Sequence, residues 1–186
     1  TGYKLDGGSL TGGNSYTFTG VSGNHTIEFD WKEQFYLTVD SAHDSPGGAG
    51  WYDNGSTAYA TLTVGTVSGG AGTQYVFTTW GTDASGTNYA QSNAITMNGP
   101  KTATADWKTQ YYVTFDQDGL DGTATGTVVT VNGTAKTLTG LPFSFWVNSS
   151  DSLVFNYSNV SSTGSDMRFI VDSVSSNSPL TVTGSV

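Results

Sequence analysis

No cysteine occurs in the 186-residue chain. That excludes a disulfide framework, a thiol nucleophile, an iron–sulfur cluster and a Cys-ligated zinc site. Cationic side chains are scarce: six Lys+Arg stand against fifteen Asp+Glu, for a net charge of −9. A chain of this sign offers no basic footprint to phosphates, so no nucleic-acid partner is expected. Charged residues make up only 11% of the chain, against about 25% in an ordinary soluble domain. Two Glu, five Lys and one Arg are too few to furnish the charged faces of several helices. No run approaches the length of apolar sequence that a membrane-spanning helix needs, so no membrane span is expected.

Thr, Ser and Gly together supply 77 of the 186 residues. Thr, Val and the aromatics suit strands, and Gly and Asn suit turns. Aromatics reach 13% and fall in alternating runs, which is a core composition and not that of a disordered chain. The composition therefore predicts an all-β fold. The chain begins at Thr1 and not at Met, which predicts a processed N-terminus with a secretory segment upstream.

An internal repeat organises the sequence. Asp30-Trp31-Lys32-Glu33-Gln34-Phe35-Tyr36-Leu37-Thr38-Val39 matches Asp106-Trp107-Lys108-Thr109-Gln110-Tyr111-Tyr112-Val113-Thr114-Phe115 at an offset of 76. A second correspondence aligns Trp51–Ser56 with Trp146–Asp151, Tyr75–Trp80 with Arg168–Ser173, and Ile95–Gly99 with Leu180–Gly184. Its offset drifts from 95 to 85, so loops of unequal length separate shared strands. Turn signals at short intervals predict two tandem immunoglobulin-like β-sandwiches. The boundaries read as an arm over 1–13, domain one over 14–107 and domain two over 108–186. The second domain carries an inserted hairpin, Thr127–Val131 and Thr134–Leu138 around Asn132-Gly133, the dipeptide of a type I′ turn. Strands are also predicted over Asn14–Thr19, His25–Phe29 and Gln34–Val39.

The segments GWYDNGSTAYA, YVFTTWGTDASG and ITMNGPKTATADWKTQYYVTF, with YTFTGVSGNHTIEF near the N-terminus, resemble the repeats of secreted archaeal surface proteins. They are similar to the divergent B-repeats of bacterial surface adhesins. The resemblance covers about Tyr16 to Val186 and implies a structural module at the cell surface, outside the cell.

The repeat register shows an asymmetry. Unit one closes with Lys101-Thr102-Ala103-Thr104-Ala105-Asp106-Trp107, whereas Val186 corresponds to Lys101 and no counterpart of that strand follows. Thr26–Trp31 matches Thr102–Trp107 without a full unit upstream. A sandwich lacking one strand exposes unpaired backbone groups beside an apolar groove, which another chain can repair. The expected partner is an identical subunit, added head-to-tail into a filament. This looks like the thread-like extracellular filaments of archaea, whose subunits join by donor-strand complementation, with adhesion or biofilm cohesion, to other filaments or to cell surfaces, as the implied role. The first candidate donor is Thr1, Gly2, Tyr3, Lys4, Leu5 and Asp6, with Thr1, Tyr3 and Leu5 on one face. The alternative donor, better matched by register, is Thr26, Ile27, Glu28 and Phe29. Leu180, Val182 and Val186 form the expected acceptor edge. A non-polymerising surface-layer or adhesin stalk module is the rival reading, and a carbohydrate-binding module is another.

Asn-X-Ser/Thr occurs at Asn24, Asn54, Asn132, Asn148, Asn156 and Asn159, mostly at predicted turns, so N-linked glycans are expected. Asp116, Asp118 and Asp121, set among glycines, resemble part of a calcium loop that would be structural, although no bidentate Glu follows. No other cofactor is expected. His43 precedes Asp44 and Ser45, but adjacent side chains diverge and do not form a triad. No nucleotide-binding, zincin or hydrolase motif stands in a fitting context, and no carboxylate pair is marked out, so no enzyme activity is expected. Trp31 and Trp107, and Trp51 and Trp146, are repeat-equivalent and read as core positions. Trp80 has no aromatic counterpart and reads as the exposed contact that a carbohydrate-binding module would use.

Overall fold

The computed structural model describes residues 2–164, 166–176 and 178–184. Thr1 of the first candidate donor and Val186 of the expected acceptor edge lie outside the described residues. Among the described residues the chain is all-β, with one short 3-10 turn at Leu138–Gly140. No helix there is long and apolar enough to cross a membrane.

The strands of the first part are β1 (Gly2–Leu5), β2 (Thr11–Gly12), β3 (Ile27–Asp30), β4 (Gln34–Ser41), β5 (Gly50–Asp53), β6 (Thr57–Ala58), β7 (Thr66–Gly70), β8 (Thr73–Thr82) and β9 (Ile95–Thr96). A fifteen-residue strand, β10 (Lys101–Phe115), follows. Beyond it come β11 (Ala124–Thr125), β12 (Val129–Val131), β13 (Thr134–Lys136), β14 (Phe143–Asn148), β15 (Ser152–Leu153), β16 (Phe155–Tyr157), β17 (Val160–Ser162), β18 (Arg168–Phe169) and β19 (Leu180–Thr181). The chain divides into two compact units. The first holds 1–41, 45–63 and 79–105, and the second holds 42–44, 64–78 and 106–186.

In the first unit β4 alternates exposed and buried side chains, with Leu37 and Val39 inward, as its sequence predicts. It pairs antiparallel with β5 and parallel with Lys101–Ala105 of β10. Ala58, Ala60, Leu62, Trp80, Ile95, Met97, Ala103 and Ala105 are buried there too. Small residues dominate because backbones approach closely: at Gly48 (φ +94°) a Cβ would meet the Tyr59 carbonyl oxygen. A separate three-stranded sheet has the order β2-β1-β3.

The core of the second unit is Val113, Phe115, Val129, Val131, Val147, Leu153, Phe155 and Val182. β10 contributes Gln110–Phe115 to an antiparallel ladder with β14. The inserted hairpin forms β12 and β13 about Asn132 (φ +46°) and Gly133 (φ +80°), the two positive-φ positions that a type I′ turn requires. It adds to β16.

The drifting repeat is reproduced in the ladders. Gln34↔Asp53 and Tyr36↔Trp51 correspond to Gln110↔Asn148 and Tyr112↔Trp146. Ala58↔Ile95 corresponds to Leu153↔Leu180. Met97 N–H donates to Ser56 O at 2.9 Å, and Val182 N–H donates to Asp151 O at 3.0 Å. Both side chains are fully buried.

Two expectations need correction. Asn14–Thr19 is not a strand. Its backbone makes no ladder, and Tyr16 and Phe18 instead pack by their rings, with Tyr16 against Tyr3 and Phe18 against His25. The repeat-equivalent tryptophans are not core residues: Trp31 is 87% exposed, Trp51 66% and Trp146 38%. Trp107 is only partly covered, by edge contacts with His43 and Phe77. Equal register does not specify a face, and the pleat turns Trp51 and Trp146 outward.

Truncation should separate these classes. Leu37→Ala and Leu153→Ala each remove a buried side chain and should cost about 2–5 kcal/mol in urea unfolding. Trp31→Ala should change stability by less than about 0.5 kcal/mol, despite deleting a larger group.

Candidate functional site

In the first unit, Leu37–Ser41 is closed by a parallel strand, with Lys101↔Leu37, Ala103↔Val39 and Ala105↔Ser41 in register. The repeat places Val113–Gln117 at the equivalent position of the second unit. There, β14 covers one edge of Val113–Phe115. On the other edge β8 is the neighbour of β10, and the Tyr112 N–H donates to the carbonyl of Gly72, just ahead of β8, at 2.9 Å. Among the described residues, no parallel strand continues along Val113–Gln117.

A groove runs beside this edge. One cavity of 660 Å³ is lined by Asp116, Leu120, Val128, Tyr157, Val160 and Ile170, among others. A second, of 190 Å³, is lined by Val113, Phe115, Phe155 and Leu180 and shares Asp116, Tyr157, Val174 and Ser175 with the first. The Tyr157 hydroxyl donates to the Asp116 carbonyl at 2.7 Å. Burial holds that phenol above its ordinary range.

The far wall is irregular. Tyr75–Trp80 lies wholly inside β8, whereas its counterpart keeps only the two residues of β18 as strand. Ile170, Val171 and Val174 follow without ladder pairing and are 62%, 41% and 48% exposed. Val171 N–H donates to the Asn159 side chain at 2.8 Å. Of the expected acceptor residues, Leu180 lines the smaller cavity, while Val182 is buried within its own ladder.

Both candidate donors lie in the first unit and pair with each other. β1 is central in its sheet, with Gly2–Tyr3 held by β2 and Gly2–Leu5 held by β3. Its register with β3 is Leu5↔Ile27, Lys4↔Glu28, Tyr3↔Phe29 and Gly2↔Asp30. β3 has β1 as its one ladder partner among the described residues. Lys4 sits 4.0 Å from Glu28 and 3.8 Å from Asp30. Asp6 (φ +50°) turns the chain out of β1 and accepts from His25 Nδ1 at 2.9 Å and from the Thr26 N–H at 2.8 Å. These bonds hold its carboxyl below the ordinary carboxylate range, the His25 bond contributing most.

The glycosylation motifs fall on turns and exposed strand positions. Asn24 is exposed just before β3, and Asn54 follows β5 with its Nδ2 donating to Glu33 at 2.6 Å. Asn132 opens the type I′ turn and accepts the Val154 N–H at 3.0 Å. Asn148 ends β14, accepting from Gln110 and donating to Asp151, each at 2.9 Å. Asn156 is exposed within β16, and Asn159 is exposed between β16 and β17.

Asp116 accepts the Gln117 N–H, and Asp121 accepts the N–H and hydroxyl of Thr123, which keep its carboxyl below the ordinary range. Together with Asp118 they make no cluster: among the described residues, no three His or carboxylate side chains lie close enough to hold a metal ion. His43 is a loop residue whose ring stacks on Tyr75 at 3.6 Å between centroids. Trp80 is not an exposed contact. It is 2% exposed and donates its indole N–H to Asn88 O at 3.0 Å, so no ligand can reach its ring.

The Asp6 contacts make the N-terminal sheet sensitive to acid. A carboxyl held low in the folded state stabilises it above the unfolded carboxylate range, and that stabilisation is lost as pH falls through the lowered value. The protection factors of the β1 and β3 amides, measured exchange corrected for its intrinsic pH dependence, should therefore fall a few-fold on acidification across that range. Asp6→Asn should give the same loss of protection at neutral pH and leave a smaller acid dependence, as hydrogen–deuterium exchange would read.

The chain matches no family model, no curated protein and no solved structure.

Proposed function

We propose that the chain is a structural subunit of an extracellular filament, built from two tandem immunoglobulin-like sandwiches and joined head-to-tail by strand donation. The observation that carries this reading is the Val113–Gln117 edge beside an apolar groove, which among the described residues has no strand where the first unit has a parallel one. An unpaired strand edge flanked by exposed Ile170, Val171 and Val174 favours addition of a further strand.

The donor follows from the same comparison. β1 has both edges engaged, so the free edges of the N-terminal sheet belong to β3 and to β2, which is only two residues long. Thr26–Phe29 is also the segment that matches Thr102–Ala105 in sequence. Copying the register of the first unit sets Ile27 opposite Phe115 and Glu28 opposite Asp116 of the preceding subunit. Ile27 and Phe29 then take the places of Ala103 and Ala105, which are 0% and 5% exposed in the first unit. β1 travels with β3 and braces it. The contact joins two different surfaces, so it propagates into an open filament wherever the rotation between subunits does not close a ring. The subunit is extracellular, and N-linked glycans supply the surface polarity that its few charges do not.

Engineered cysteines test the register without competition, since the chain has none of its own. Thr104↔Asp40 is the ladder pair equivalent to Glu28 and Asp116, both of which are exposed. Laterally paired strand residues lie within disulfide reach. Glu28→Cys with Asp116→Cys should give, on mild oxidation, a ladder of multimers that reductant collapses. Each single variant should stop at dimers. Monomer alone from the double variant, or filaments that persist in electron microscopy after Phe29→Asp, would sink the reading.

A further inference from the structure

We propose that each unit carries a binding platform for a neutral pyranose sugar on the outward face of its sheet. In the first unit the platform is Tyr36 and Trp51 beside Gln34 and Asp53. In the second it is Tyr112 and Trp146 beside Gln110 and Asn148. The inference does not rest on polymerisation.

The two sets are the same construction. Tyr36 lies directly opposite Trp51, and Tyr112 directly opposite Trp146. Ring centroids are 5.3 Å and 5.1 Å apart. All four aromatic side chains are exposed, Trp51 most of all. Two residues along each strand, on the same face, stands a polar pair. Gln34 donates to Asp53 at 2.9 Å, and Gln110 donates to Asn148 at 2.9 Å. The bond from Gln34, and above all that from Lys32 at 2.7 Å, holds the Asp53 carboxyl below its ordinary range, so it remains an acceptor.

Cross-strand aromatic pairs also brace sheets, by about 0.2–1 kcal/mol. Bracing alone leaves the recurrence of the whole quartet unexplained. On the opposite face of the same ladders, Phe35↔Tyr52 has become Tyr111↔Val147, so the repeats have diverged there. The outward row has kept aromatic against aromatic and amide against acceptor.

The chemistry of the row selects the ligand. An aromatic face receives the C–H face of a pyranose ring, and adjacent amide and carboxylate groups offer the donors and acceptors that ring hydroxyls need. A tyrosine and a tryptophan, partly covered already, offer far less than the ~800 Å² per partner of a stable protein interface. Bases stack on aromatics as well, but a chain of net charge −9 repels a phosphate backbone and acidic sugars alike. A neutral glycan meets neither objection.

The probes are cellohexaose and chitohexaose, titrated at millimolar concentration against the full chain and followed by the tryptophan side-chain N–H signals in NMR. Saturable shifts at Trp51 and Trp146 are expected, with two sites per chain. Trp51→Ala and Trp146→Ala should each remove one site, and the double variant both. Trp51→Phe and Trp146→Phe should retain weakened binding, which separates loss of the ring from loss of the fold. Trp31→Ala should change nothing. Ser150→Gly removes the glycosylation motif at Asn148 without touching Asn148 itself. If the second site of chain from a glycosylating host accepts probe only in that variant, its occupant is the chain's own glycan; equal binding with and without it points to a glycan from outside. No shift at either tryptophan with either hexaose, or shifts that survive the double variant, would overturn the proposal.

Discussion

The requirement that backbone N–H and C=O groups be paired governs this protein more than any side-chain interaction. With few charges and no disulfides, its strands are held by ladders and by small buried side chains. Along Leu37–Ser41 a parallel stretch of β10 lies alongside, and at Leu37, where β5 also pairs, the side chain is fully buried. Beside Val113–Gln117 the neighbouring surface opens into a groove and apolar side chains remain in solvent. The same sequence motif, QxYxT in β4 and in β10, buries Leu37 and Val113 alike; among the described residues the two differ in whether a parallel strand lies alongside.

The N-terminal sheet is the complementary case. It has a free strand edge, an aromatic cluster of Tyr3, Tyr16, Phe18 and Phe29, and little else to hold it. Its ion pairs, from Lys4 and from His25 to nearby carboxylates, are exposed and individually weak. A small sheet of this kind is marginal alone and gains most from joining a larger one. An open edge in one unit and a free-edged sheet in the other are what head-to-tail assembly needs.

The outward faces carry a separate property. Side chains at Tyr36, Trp51, Tyr112 and Trp146 contribute little to the cores, so truncating them should leave the fold intact. The fold spaces them by register while the cores beneath are free to change. Assembly along strand edges and ligand contact on sheet faces use different atoms of the same strands, so neither excludes the other.

Much of this organisation is legible in the sequence. Composition dictates an all-β chain, because strand formers and turn residues dominate and charged helix formers are few. The repeat offsets of 76, 95 and 85 anticipate the paired ladders, because register follows the order of strand and turn residues along the chain. Asn132-Gly133 specifies its turn because few dipeptides accept positive φ twice. What periodicity does not carry is the face and the partner. The repeat marks Trp51 as core and Trp80 as exposed, yet Trp80 is buried and donates to Asn88 while Trp51 stands in solvent, since burial depends on what the remaining chain lays over each ring. The pairing of β1 with β3 was likewise decided only in three dimensions, because a ladder joins residues that no local pattern brings together.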